Sequence, residues 1–304
     1  MQVWAVIVTY NPALEPLRDL LSALAGEDIA GIVVVDNGSI DFPEDALGVA
    51  VAPIEIRRLS RNRGIGAAHN EGIRIARLHN AAYVLLLDQD SVPEPGMVAA
   101  LKRAVERLRD QGRKVGCVGP RLRARGSEEL STFRRLAWWP VSRCVCADEN
   151  DLIECDDVVS SGSLIPFDAL ASVGDMEEEL FIDHVDSEWC WRARSKGFET
   201  YGVCSAVLQH RLGEGNCRIW LGRWRNVFRH RPLRYYYIFR NTISLFRRHY
   251  MPSRWVVFQL ARLVILFLAF GLGAEGASAT RRMMWKGTRD GLRGVTGPLN
   301  ESSP

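Results

Sequence analysis

Several common signatures are missing from the 304-residue chain. Its seven cysteines include no CxxC pair, and the closest two are Cys144 and Cys146. An odd, scattered set argues against a disulfide framework and against a structural zinc site, and it reads as a chain of the reducing cytoplasm. No basic segment precedes the apolar start MQVWAVIVTYN, so a cleaved secretory signal is not expected there. The most apolar stretch, residues 255–273, is interrupted by Gln259 and Arg262, leaving twelve uncharged residues from 263 to 274. A spanning helix needs ~20. The glycine pair of residues 62–72 belongs to neither a GxGxxG motif nor a P-loop. Residues 218–248, RIWLGRWRNVFRHRPLRYYYIFRNTISLFRR, lack any acidic residue.

What is present is globular. Apolar residues make up 47% and charged residues 25%, with a net charge of +3, so disorder is excluded except at the tail. The length suffices to bury a sizeable core. Residues 3–9 (VWAVIVT) form a β-rich apolar run, Asn11-Pro12 breaks it, and residues 14–24 follow a helical pattern. Gly31 then precedes IVVVD, a second buried strand ending at Asp36. The alternation continues with a strand at 54–59, a helix at 66–79 and a strand at 83–87. A helix at 97–111 follows, apolar at 97, 98, 101, 105 and 108. Continuous apolar runs favour parallel strands covered on both faces. The expected fold class is therefore α/β, with an open doubly wound sheet over residues 1 to about 115 and ligands at the carboxyl ends of its strands.

Polar residues stand at those ends: Thr9-Tyr10-Asn11, Asp36-Asn37-Gly38-Ser39 and Asp88-Gln89-Asp90. One acidic strand end is commonly only a cap. Three together argue for a site. Between them, NRGIGAAHNEG (62–72) reads either as a phosphate cradle or as glycines serving a tight turn and close helix packing. In the second half, 157–166 (DVVSSGSLIP) is strand-like, and 181–197 places Asp183, Asp186 and Glu188 just ahead of a helix carrying Trp191, Arg192 and Arg194. Acids in a first helical turn also suit the helix dipole. Asp186 is the better candidate for chemistry. A strand at 200–210 ends in His210. The basic, aromatic stretch suits nucleic acid, an anionic membrane or a phosphorylated substrate, but it holds no recognised nucleic-acid motif, and its large apolar residues suit membrane or core. Helix 255–273 reads as membrane-lying, or as a core or dimer helix. Beyond Gly287 the chain is expected to be loose.

Taken in order, six segments resemble the inverting family 2 glycosyltransferases with a GT-A fold, and within them the rhamnosyltransferase-like members. They are VTYNP (8–12), VVDNGS (34–39), NRGIGAAHNEG (62–72), LLLDQDS (85–91), SGSLIP (161–166) and FIDHVDSEWCWRARSKGF (181–198). YYYIFRN (235–241) resembles the segment that follows the core in that branch. The resemblance implies a GT-A fold: a Rossmann-like, doubly wound, mostly parallel sheet with a C-terminal helical extension. Residues 1–115 would bind nucleotide sugar, 116–215 would form the acceptor and catalytic half, and 216–304 would be an extension for membrane association or dimerisation. DQD looks like the family's DXD motif, so Asp90 and Asp88 would hold Mg²⁺ or Mn²⁺ at the donor diphosphate, with His210 beside them. Thr9, Asp36 and Asn37 would meet the base and ribose. Asn62, Gly66 and Asn70 would surround the nucleotide and phosphates, and Tyr10, Asn11 and Gln89 complete that set. Asp186 matches the general base, and Ser161, Gly162, Ser163, Glu188, Trp191 and Arg192 would serve the sugar or acceptor.

Val185 stands where many members carry Glu, so the base assignment rests on spacing to Trp191-Arg192. The absence of QxxRW and of an array of spanning helices speaks against a processive synthase. The expected donor is dTDP-rhamnose, with a UDP-hexose as alternative, and the acceptor a glycan or glycolipid. No nucleic acid is expected as partner; a peripheral contact at the cytoplasmic membrane face and a homodimer are compatible. A catalytically silent binding module would have lost Asp88, Asp90 or Asp186, and all three are present.

Overall fold

The computed structural model describes residues 2–49, 52–124, 126–136, 142–210, 216–220, 224–272 and 277–299. The strands are β1 (Val3–Thr9), β2 (Gly31–Asp36), β3 (Ile54–Arg58), β4 (Tyr83–Asp88), β5 (Val92–Pro93), β6 (Val115–Ala124), β7 (Phe133–Arg135), β8 (Ser142–Cys144), β9 (Leu152–Cys155), β10 (Leu164–Pro166), β11 (Glu199–His210), β12 (Asn216–Trp220) and β13 (Trp224–Phe228). The α-helices are α1 (Leu14–Leu24), α2 (Ile65–Leu78), α3 (Met97–Asp110), α4 (Phe167–Val173), α5 (Val185–Ser195), α6 (Pro232–Leu245), α7 (Ser253–Leu266) and α8 (Ala277–Arg293). One sheet runs β3-β2-β1-β4-β10-β6-β11-β5, with β9 paired to β11. Its first four strands are parallel, Val6 lying opposite Val33 and Leu86. β10 is antiparallel to β4 and β6, whereas β11 is parallel to β6.

The uninterrupted apolar runs follow from cover on both faces. Val3, Ala5 and Ile7 pack with Leu17, Leu21 and Leu101 of α1 and α3, while Val6 and Val8 pack with Ala68, Ile73 and Ala76 of α2. Each such buried Val, Leu or Ile contributes about 1.5–3 kcal/mol. Gly72 lets α2 approach β1 closely, because a Cβ there would overlap the Val6 side chain. All strand ends that carry the polar residues consequently emerge on one edge.

The C-terminal helices are built onto this body. Tyr235, Tyr236, Tyr237 and Phe239 of α6 are buried, as is Arg240. α8 approaches α6 across Gly287 and Gly291; a Cβ on Gly291 would lie 2.6 Å from the Arg240 carbonyl. α7 continues through a π-helical turn, so that Ser253–Gly271 forms 19 residues of helix, long and apolar enough by composition to cross a membrane. Its Trp255, Gln259, Leu263 and Leu266 are nevertheless buried against the domain. Val257, Leu260, Val264, Leu268 and Leu272 form an exposed apolar stripe on the other side.

Several expectations are corrected. Cys146 and Cys204, 58 residues apart, form a disulfide, a pairing that spacing along the chain could not reveal. Of 157–166 only Leu164–Pro166 is strand, because Gly162 is left-handed (φ 86°) and the Ser163 N–H closes a turn on the Ser160 carbonyl. The chain beyond Gly287 remains helical to Arg293, with Gly291 filling a helix contact. In the acid-free stretch 218–248, α6 is a core helix, not a surface; residues 221–223 of that stretch lie outside the described residues, as do 273 and 274 of the apolar run.

Candidate active site

The carboxyl edge of the sheet opens into a cleft of about 660 Å³. One wall is made by strand ends. Thr9 and Tyr10 follow β1, Asn37 follows β2, and Asp88, Gln89 and Asp90 end β4. These ends are tied to one another. The Tyr10 N–H donates to Gln89 Oε1 at 2.7 Å, and Asn37 Nδ2 donates to Asn62 Oδ1 at 3.1 Å. Asn62 also receives the Gly64 N–H at 2.9 Å, which sets the turn into α2. Only glycine fits at position 64, whose φ is 90° and where a Cβ would lie 2.5 Å from the Phe181 carbonyl oxygen.

The opposite wall is the turn 181–186 with His210, His230 and Arg234. Phe181, Asp183 and His184 all have φ near +65°, although none is glycine. Such backbone persists only where its surroundings over-determine it. Here α6 supplies the constraint. Arg240 donates to the carbonyls of Glu179 and Leu180, and Asn241 Nδ2 donates to those of Leu180, Ile182 and Asp183 at 2.9, 2.7 and 3.1 Å. His184 Nε2 lies 2.9 Å from Thr242 Oγ1. The turn delivers Asp186 to the first turn of α5, where it lines the cleft.

Electrostatics mark the same groups. Burial raises the Asp186 pKa to about 6, reinforced by the negative charge of Asp157 and opposed by N–H donation from Ser187 and Ser160. Burial also raises Asp88, and Asp90 adds to it, while His210 and Arg234 act in the opposite sense. Arg234 holds Asp183 at 3.0 Å. A relay supports the acidic strand end. The Asp88 N–H donates to Ser161 Oγ, Ser161 Oγ donates to Ser91 Oγ, and Ser91 Oγ lies 2.8 Å from His210 Nδ1. Among the described residues no three His, Cys, Asp or Glu side chains form a ready-made metal site. Mg²⁺ and Mn²⁺ rarely need one, being held by one or two carboxylates together with substrate phosphates. Asp88, Asp90 and His210 in one cleft, with the two carboxylates repelling each other, fit that pattern.

Not every predicted residue reaches the cleft. Asp36 is buried beneath it, accepting from Ser39 and Thr9. Asn11 secures the same loop, its Oδ1 accepting the Ile40 N–H. Gly66 lies against the Glu177 carbonyl and Asn70 bonds Met176, so both serve packing of α2 on the loop before α5. Ser161 sits behind the wall in the relay, and Gly162 and Ser163 shape the turn. Glu188 is fully buried, pairing with Arg192 at 2.8 Å and accepting from Tyr250 at 2.6 Å. Arg192 also donates to the Val173 and Asp175 carbonyls, and Trp191 is buried between Arg194 and Arg254. Conversely, sequence reasoning did not single out Arg234, His230, Asp157 or Ser160. Arg234 lay within the acid-free stretch, its only signal.

A parallel α/β sheet with antiparallel β10 inserted and a cleft along its carboxyl edge place the chain in the GT-A fold class. The chain belongs to glycosyl transferase family 2, whose model matches residues 4–174. It is 29% identical over 300 residues to the dTDP-rhamnosyl transferase RfbF of Shigella flexneri, covering 97% of both chains. It is also 36% identical over 113 residues to the succinoglycan biosynthesis protein ExoO of Rhizobium meliloti, 36% of this chain and 30% of that one. Among solved structures, S. aureus TarS 1–349 in complex with UDP-GlcNAc superposes with a TM-score of 0.60 at 14% identity, over 97% of this chain and 82% of that one. GalNAc-T7 with UDP, GalNAc and Mn²⁺ gives 0.57 at 16% identity, over 70% and 44%. At these identities the likeness establishes the fold.

Proposed function

We propose that the protein transfers one rhamnosyl unit from dTDP-rhamnose to a hydroxyl of a lipid-linked glycan, with inversion at the anomeric carbon. The observation that carries the reading is Asp186, facing the acidic strand end across the cleft and shielded enough for its pKa to rise. Similarity over almost the whole chain to a dTDP-rhamnosyl transferase supports the donor. Thr9, Tyr10, Asn37 and Asn62 hold the nucleoside. Asp186 accepts the acceptor's hydroxyl proton while that oxygen bonds to C1 and the bond from C1 to the diphosphate breaks. The transition state is oxocarbenium-like. Asp90 and Asp88, with His210, would hold Mg²⁺ or Mn²⁺, which when bound offsets negative charge on the departing diphosphate. Arg234 adds fixed positive charge nearby. The exposed stripe of α7, beside Arg281, Arg282 and Arg289 exposed on α8, supports peripheral contact with an anionic, cytoplasmic membrane face.

The test compares dTDP-rhamnose, UDP-glucose and UDP-galactose as donors with purified protein, membrane glycolipid and Mg²⁺ or Mn²⁺, against EDTA. Turnover of dTDP-rhamnose alone, lost in EDTA and in Asp186→Asn while dTDP still binds, is the expected result. Preference for a UDP-sugar overturns the donor, and an active Asp186→Asn overturns the base.

A further inference from the structure

Beyond Asp186 lies a second cavity of about 290 Å³, which shares Asp183, His184 and Asp186 with the donor cleft. Its far side belongs to α7, with Trp255, Gln259 and Arg262. That volume is near the lower bound of small-molecule sites, room for one sugar ring and not for a chain.

The charges around the cavity pair off unequally. Asp156 lies 3.6 Å from Arg194, Asp157 lies 3.7 Å from Arg134, and Asp183 lies 3.0 Å from Arg234. Two lining charges are left over. Among the described residues neither Asp186 nor Arg262 forms a salt bridge; Arg234 acts on Asp186 only through space, and Arg262 Nη1 donates only to Gln259 Oε1, at 3.2 Å. Burial lowers the Arg262 pKa, as do the like charges of Arg134 and Arg234, and the more distant carboxylates of Asp183 and Asp157 offset this only in part. A charge in that position is costly unless something compensates it. Its planar fork matches an oxyanion, which it can bind through two parallel hydrogen bonds.

We infer that this cavity is the acceptor subsite, and that Arg262 selects an acceptor sugar bearing an anionic oxygen group, carboxylate or phosphate, while Asp186 meets its nucleophilic hydroxyl. The inference rests on Asp186 as the base. It assigns to the C-terminal extension a direct part in substrate choice, and it moves acceptor recognition away from Glu188, Trp191 and Arg192, which are engaged in packing.

The experiment measures sugar binding by saturation-transfer NMR and calorimetry on full-length protein saturated with dTDP and Mg²⁺. The probes are glucose 1-phosphate, glucuronate and neutral methyl glucoside, tested on the wild type, Arg262→Gln and Arg262→Lys. Anionic sugars are expected to bind roughly tenfold tighter than methyl glucoside, the preference to vanish in Arg262→Gln and to survive in part in Arg262→Lys. Glucose 1-phosphate against glucuronate separates phosphate from carboxylate. Equal binding of neutral and anionic sugars, no binding of any, or a preference that survives in Arg262→Gln overturns the subsite. The affinity for dTDP reports whether each variant is folded. Failure of dTDP-rhamnose as donor, measured separately, would remove the proposed reaction and leave the sugar-binding result standing.

Discussion

The side-chain amide of Asn241 donates to the carbonyl of Asp183 at 3.1 Å, and the same nitrogen reaches the carbonyls of Leu180 and Ile182. One residue of α6 thus secures a turn whose left-handed residues would otherwise relax, and with it the approach of Asp186 to the cleft. Asn241→Ala leaves buried carbonyls unpaired, at about 1–3 kcal/mol. A lower denaturation midpoint is expected, together with a fall in kcat that exceeds any change in dTDP affinity. Unchanged kcat in a destabilised variant would show that the turn keeps its shape without Asn241.

The raised pKa of Asp186 predicts both a pH profile and a stability effect of opposite sense. A general base at Asp186, as proposed above, works only when ionised, so kcat/KM should rise with pH through about 6 and level off above it. The folded protein, however, disfavours the charged form relative to the unfolded chain, whose carboxyl titrates near 3.8. This contribution therefore destabilises as pH rises from about 4 to 6 and remains fully destabilising above. Asp186→Asn should be catalytically dead yet melt higher than the wild type at pH 7.5, with the gap closing towards pH 4.

Two buried histidines make the fold sensitive to acid. His69 and His184 are both held near pKa 4 by burial, and neither ring nitrogen of His69 has a hydrogen-bond partner among the described residues. An unfolded histidine takes up its proton near 6.5, so stability is lost as pH falls from 6.5 towards 4. At pH 5 the loss from His69 is on the order of 2 kcal/mol. His69→Leu should be at least as stable as the wild type at pH 7.5 and should lose less between pH 7.5 and 5 in urea titrations. An identical pH slope in the variant would assign the acid sensitivity elsewhere.

Glu188 is a structural anchor. It is fully buried and engages Arg192 and Tyr250. Removing one partner of a buried pair strands the other charge, costing about 3–5 kcal/mol. Glu188→Ala is expected to lower the melting temperature sharply, whereas a folded, stable variant with only a raised acceptor KM would restore it to the acceptor site.

The first half of the molecule was legible because its signals are local. A strand covered on both faces must be apolar throughout, so β1, β2 and β4 announced themselves, and the polar residues just past them lie along the cleft. The second half was less legible because its determinants are contacts between distant segments. Glu188 and Arg192 are visible as an i, i+4 pair, but the burial that gives them a structural role involves Tyr250, 62 residues along the chain. Arg240 reads as a solvated charge until the carbonyls of 179 and 180 are seen to receive it. β6, with two glycines and a proline in its first six residues, carried no strand pattern. Arg262 interrupted an apolar helix, and only the fold reveals the cavity on its other side.

The two faces of α7 lie back to back: Arg262 lines the inner cavity, and the aliphatic stripe faces outward. A helix is about 10–12 Å across with its side chains. A bilayer resting on the outer face would therefore set the reacting hydroxyl at a fixed height above the headgroups, with α7 as the spacer. An acceptor anchored in that bilayer would be extended where its ring reaches that height and not elsewhere along its length. The thickness of a single helix would then choose which sugar of a growing chain is modified.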